Sequence, residues 1–162
     1  MGHYILNCFL LLLPIFIWNM IFANKLPIKY TDKAQWDNIP KLLAALENTL
    51  RTIVFLVPVL MILDLGSDRA ILGLIIYIVG IIIYFVSWGV QIYRPDSSWS
   101  KSLLGTMAPA YTPFIWLNGI ALIGKDNFLE IPNFSLFYFI ISLIFVIVHS
   151  FHAYISYNQN KA

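Results

Sequence analysis

The sequence predicts an all-α, polytopic integral membrane protein: a bundle of five transmembrane helices, with a short interfacial helix between the first and second. Three observations predict it. Of the 162 residues, 60% are hydrophobic and only 11% charged, against about 45–50% and about 25% in a typical soluble domain. The apolar residues come in blocks near the roughly 20 residues that an α-helix needs to cross the hydrocarbon core. The basic residues, finally, sort into alternate loops, as retention of Lys and Arg on the cytoplasmic side requires.

Taken in order, the blocks are Tyr4–Ala23, Leu46–Leu65, Ala70–Tyr93, Leu103–Ile123 and Leu136–Tyr157. They absorb most of the chain, so residues 1–162 read as a single transmembrane domain, and function is expected in the bundle and its short loops. The first block has no basic n-region before it and no small-x-small site after it, so it reads as a permanent helix and not a cleaved leader. Met1-Gly2 lacks the Ser or Thr of a myristoylation signal. Cys8 is the single cysteine, which excludes a disulfide framework within one chain and reads as an inert, buried thiol.

The connection Asn24–Ala45 holds Trp36, an anchor suited to headgroup depth, and then Asp37, Asn38 and Pro40, which suit a helix cap and first turn. An interfacial helix is expected there. The third helix carries Gly73, Tyr77, Gly80, Tyr84, Ser87, Gln91 and Arg94 at alternating steps of four and three. That spacing keeps them on one face, with Ile, Leu and Val elsewhere, so small and polar groups face neighbouring helices. The fifth block repeats the pattern with Ser135, Tyr138, Ser142, Phe145, His149, His152 and Ser156. In the fourth, Pro109 and Pro113 lack amide hydrogens, so the carbonyls of Gly105 and Pro109 lose their helical donors and a kink is expected. Such carbonyls at membrane depth are tolerated beside protein or a water-filled cavity and not against lipid.

Lys25, Lys29, Lys33, Lys41, Arg51, Arg94, Lys101 and Lys161 fall on one side of a five-span arrangement; the other side holds Arg69 and Lys125 among Asp64, Asp68, Asp126 and Glu130. The expected topology is therefore a plasma-membrane protein with its N-terminus outside and its C-terminus in the cytoplasm. No concentrated basic patch of the kind nucleic-acid binding requires is present.

In each block the stronger polar groups gather toward the cytoplasmic end. Trp18 and Asn19, then Glu47, Asn48 and Arg51, then Gln91 and Arg94, then Thr106–Pro113, then His149 and His152 lie there. Glu47 and Arg51 are four apart and can pair on one face; an unpaired charge at the bilayer centre costs at least about 2.5–3.5 kcal/mol. The alternative is that Arg51 snorkels to the headgroups, with Glu47 outside the membrane. The loop Tyr93–Lys101 admits two readings: a phosphate grip through Arg94, Ser98, Ser100 and Lys101, or a turn at Pro95-Asp96-Ser97 that caps the next helix, with Trp99 as interface anchor. The remaining aromatics, Trp116 among them, read as lipid-facing or packing residues.

These residues predict a pocket open to the cytoplasm, with Glu47, Arg51, Gln91, Arg94, Tyr111, His149 and His152 as ligand-binding residues. Its charge favours an anionic amphiphile, lipid headgroup or small metabolite. The expected role is binding or transport of such a ligand. Two other classes fit the same residues: a membrane-embedded lipid-modifying enzyme using His149 as acid/base, and an accessory subunit whose polar stripes join it to a second copy or a membrane complex. Two histidines with Glu47 are too few for a typical metal site. No nucleophile elbow, zinc-protease motif, phosphate-binding glycine loop or C-x-x-C is present, so neither metal nor cofactor is expected.

Overall fold

The computed structural model describes residues 6–25 and 39–159. A 3₁₀ turn, Cys8–Leu12, leads into α1, Leu13–Phe22, which is followed by a second 3₁₀ turn, Ala23–Lys25. Next come α2, Lys41–Leu56, continued by a 3₁₀ turn at Val57–Val59; α3, Asp68–Tyr93; the short α4, Ser98–Lys101; α5, Leu103–Tyr111; α6, Pro113–Ile123; and α7, Phe134–Gln159. The described residues form no strand, only the isolated bridges Asn7–Ile62 and Met61–Asn127. Among the described residues, three helical segments are long and apolar enough to cross a membrane: Lys41–Val59, Asp68–Tyr93 and Phe134–Gln159. The segment Cys8–Phe22 is apolar but shorter.

Several helix ends have a sequence cause. Ser67 caps α3, its side chain accepting from the Ala70 amide (3.2 Å). α2 begins directly after Pro40, which makes no side-chain capping bond. It ends earlier than the hydropathy pattern predicts, at Leu56 and not Leu65, because Pro58 has no amide to offer the carbonyl of Val54. The span is thereby shifted toward its N-terminus, and residues 41–45, expected to lie in an interfacial helix, are instead the start of α2. The rest of that expected helix, with Trp36, Asp37 and Asn38, lies outside the described residues. The fourth block is two helices: the break falls at Thr112, between Pro109 and Pro113. Thr112 bridges it, giving both its amide (3.1 Å) and its hydroxyl (2.7 Å) to the Ala108 carbonyl.

α3 packs most extensively against α6, and α7 packs against α2, α5 and α6. The α3–α6 seam needs glycine: a Cβ on Gly80 would stand 2.6 Å from the Trp116 amide nitrogen, and one on Gly119 2.6 Å from that of Tyr77. Along α3 the buried residues are Ala70, Gly73, Tyr77, Gly80, Tyr84, Ser87 and Gln91. Its opposite face exposes Ile71, Leu72, Ile75, Ile78, Val79, Ile82 and Val86. α7 is divided in the same way, with Leu136, Phe137, Ile140, Leu143, Ile144, Ile147 and Phe151 outward. So much contiguous exposed apolar surface fits lipid as its solvent.

At the end opposite Lys41 and Tyr93, three segments are tied together through their backbones. Cys8 donates to Met61 (2.9 Å), Ile62 to Asp126 (2.9 Å), Leu63 to Leu6 (3.1 Å) and Phe128 to Leu60 (3.0 Å). Cys8 is fully buried in this junction. Asn127 braces the last loop, its side chain donating to the Ile131 carbonyl (2.8 Å) and accepting from the amides of Leu129 (3.1 Å) and Ile131 (3.0 Å).

Candidate functional site

Toward the other end, α2 and α7 face each other across a cavity of about 470 Å³, within the range of small-molecule sites. Helical spacing sets its polar residues: Glu47 and Arg51, one turn apart on α2, and His149 and His152, three apart on α7. The Glu47 carboxylate joins them. Its Oε1 accepts from His149 Nδ1 (2.9 Å) and from the Arg51 guanidinium, and its Oε2 accepts from His152 Nδ1. An ionised carboxylate only accepts, so both Nδ1 atoms carry the hydrogen of their contact. On each ring Nε2 is then the nitrogen turned away from Glu47. Phe145, one turn before His149, stacks on its ring with centroids 5.4 Å apart and fixes the ring plane.

The cluster is layered. The Glu47 side chain is 3% exposed and that of His152 9%, whereas His149 is 28% and Arg51 39% exposed. The anion is therefore more deeply buried than its cationic or ionisable partners, and Arg51 and His149 keep the most accessible surface of the four. The remaining walls are mostly apolar: Ile15 of α1, Phe55 of α2, Trp88 of α3, Pro109 and Ala110 of α5, and Pro113 and Trp116 of α6. Asn19 and Tyr84 also line it, but they satisfy each other, the tyrosine hydroxyl donating to Asn19 Oδ1 (2.9 Å). Among the described residues no group of three or more His, Cys, Asp or Glu is arranged to hold a metal ion.

Of the seven ligand-binding residues expected from the sequence, the structure brings Glu47, Arg51, His149 and His152 together on this cavity; Gln91, Arg94 and Tyr111 are not among its lining. Gln91 is fully buried on the α3–α5 contact, where its Nε2 donates to the Gly105 carbonyl (2.6 Å). That carbonyl is the one Pro109 leaves without a helical donor, so Gln91 repairs a proline break and its amide nitrogen is already engaged. Arg94 is exposed at the end of α3, where its carbonyl accepts from the Ser97 amide (3.1 Å) and the Ser100 hydroxyl (2.7 Å). Tyr111 donates to the Leu104 carbonyl within its own helix (3.3 Å).

The Tyr93–Lys101 loop is a helix-capping turn, with Ser97 accepting from the Ser100 amide (3.1 Å) and Asp96 paired to Lys101 (2.9 Å) at the surface. Sequence reasoning missed the cavity's apolar walls. Trp116, read as lipid-facing or packing, is buried on the wall, as is Pro113, and the half-buried Pro109 lines it too. The two prolines carried a signal, since a broken helix beside a neighbour leaves room; Phe55 and Ile15 look like any lipid-facing residue in sequence. No protein-family model, no curated protein and no solved structure matches this chain.

Proposed function

We propose that this chain is a five-span, plasma-membrane binding or transport-related protein whose intramembrane cavity receives an anionic amphiphile, a lipid headgroup or a small acidic metabolite. Alternation of basic and acidic loops supports an external N-terminus and a cytoplasmic C-terminus. In that reading the α5–α6 pair acts as one broken span and Cys8–Lys25 as another. The carrying observation is the layering: a mostly apolar cavity whose ionic groups sit on α2 and α7, with the carboxylate buried and Arg51 and His149 the more exposed. Such a shape matches a molecule with an apolar tail and an acidic head. Arg51 supplies the guanidinium, Glu47 holds it in place, and His149 and His152 complete the rim of donors.

The reading is tested by titrating the purified protein in phosphatidylcholine nanodiscs with an alkyl sulfonate. Arg51→Ala is expected to weaken binding by roughly 10–100-fold, the worth of a charge-assisted hydrogen bond. Unchanged affinity in a folded variant overturns the reading.

A second reading, a lipid-modifying enzyme, is favoured by one contact. Glu47 fixes His149 by Nδ1, as a carboxylate orients an imidazole for general acid/base work at Nε2. It predicts turnover that is lost in His149→Ala and kept when Tyr77, which lies away from the cavity lining, is replaced by Phe.

A further inference from the structure

The charges around the cavity do not yet balance a bound anion. With both imidazoles neutral, the cluster holds one negative charge, on Glu47, and one fixed positive charge, on Arg51, and the two are already paired. Among the described residues, the other elements lining the cavity add no fixed charge: Tyr84 comes from α3, Asn19 from α1 and Thr106 from α5. Among the described residues, the further cations at this end, Lys25, Lys41, Arg94 and Lys101, stand at the surface outside the lining. An arriving anion would therefore leave a net negative charge among mostly apolar walls, which is costly in a low-dielectric site.

We propose that the site takes up a proton together with its anion, so that ligand binding is proton-coupled. The proton comes from water and adds to Nε2 of His149, whose Nδ1 hydrogen is already committed to Glu47 and whose ring is the more exposed of the two imidazoles. The resulting imidazolium is held on one side by the carboxylate and donates on the other to the anion. Neutral cavity, anion and proton thus give a neutral complex. In this arrangement Glu47 sets the coupling: it cancels Arg51 and so makes the second positive charge necessary. The inference rests on the anion-binding reading and adds to it a stoichiometry, one proton per anion.

The test uses the full chain in phosphatidylcholine nanodiscs and two permanently charged probes, hexadecanesulfonate and methanesulfonate, so that the ligand does not itself titrate. Calorimetry in buffers of different ionisation enthalpy counts the protons taken up. Over the pH range in which the imidazole is neutral in the free protein, affinity is expected to rise about tenfold for each pH unit lowered. Glu47→Gln frees Arg51 to meet the anion, so binding should persist with little proton uptake and a flattened pH profile. His149→Gln should bind weakly at every pH and also lose the slope, which keeps the test decisive if the first variant does not fold. Tighter binding of the long-chain probe identifies an amphiphile as the ligand class, and equal binding a free anion; both support coupling if a proton accompanies them. Binding of either probe without proton uptake overturns the coupling alone. Absence of binding by both overturns the anion-binding reading, and the coupling with it.

Discussion

α3 and α7 carry the same kind of sequence, a stripe of small and polar residues at alternating steps of three and four on an otherwise apolar helix, yet the fold uses them differently. On α3 the polar stripe is mostly consumed in holding helices together. Tyr77 donates to the Leu11 carbonyl, Tyr84 to Asn19 and Gln91 to Gly105, while Ser87 donates within its own helix to the Tyr84 carbonyl. Gly73 and Gly80 let the α6 backbone approach. On α7 the first half does similar work, as Ser135 donates to the Ala121 carbonyl (2.8 Å). Its last turns carry two imidazoles that meet a carboxylate from α2. A side chain bonded to a backbone carbonyl has met a structural need; one bonded to another ionisable side chain across a cavity retains chemistry.

Three measurements break or sharpen this contrast. The largest effect belongs to the glycine seam: Gly80→Ala forces a Cβ against the Trp116 backbone and is expected to cost about 3 kcal/mol, the upper end for overpacking, read as unfolding in detergent. Gly89, also on α3, serves as its control: a methyl group there would meet nothing within 4 Å, so Gly89→Ala should be neutral or stabilising by about 1 kcal/mol. The next effect is that of Gln91→Leu, which leaves the buried Gly105 carbonyl without its donor and should cost about 1–3 kcal/mol while leaving ligand affinity unchanged. A loss of affinity with stability intact would return Gln91 to the site. The smallest is Arg94→Ala, expected to fall within about 0.5 kcal/mol of the parent and to leave binding unaltered, because its guanidinium lies outside the cavity lining.

Much of the helical plan is legible in the sequence because hydropathy is a local property. The third apolar block matches α3 to within two residues at its start and at the same residue at its end, and the buried stripe follows the sequence spacing up to Gln91. The proline break between Pro109 and Pro113 is legible for the same reason, since a missing amide acts on its own helix. Pro58 has the same local effect on α2, but it stands inside an apolar run, and hydropathy alone carries the span past it to Leu65. The candidate site is legible in part. Spacing puts Glu47 beside Arg51 and His149 beside His152, but their meeting depends on how α2 and α7 pack.

By itself, then, the sequence determined which segments become helices, which faces shun lipid and which side chains carry charge, because period, proline and hydropathy act within a few residues. The tertiary structure alone decided which polar groups would be used up. Gln91 and Gly105 are 14 positions apart and Glu47 and His149 are 102 apart, and nothing local distinguishes an amide that will mend a broken helix from an imidazole that will face a cavity. That assignment depends on which partner the packing brings within hydrogen-bond reach.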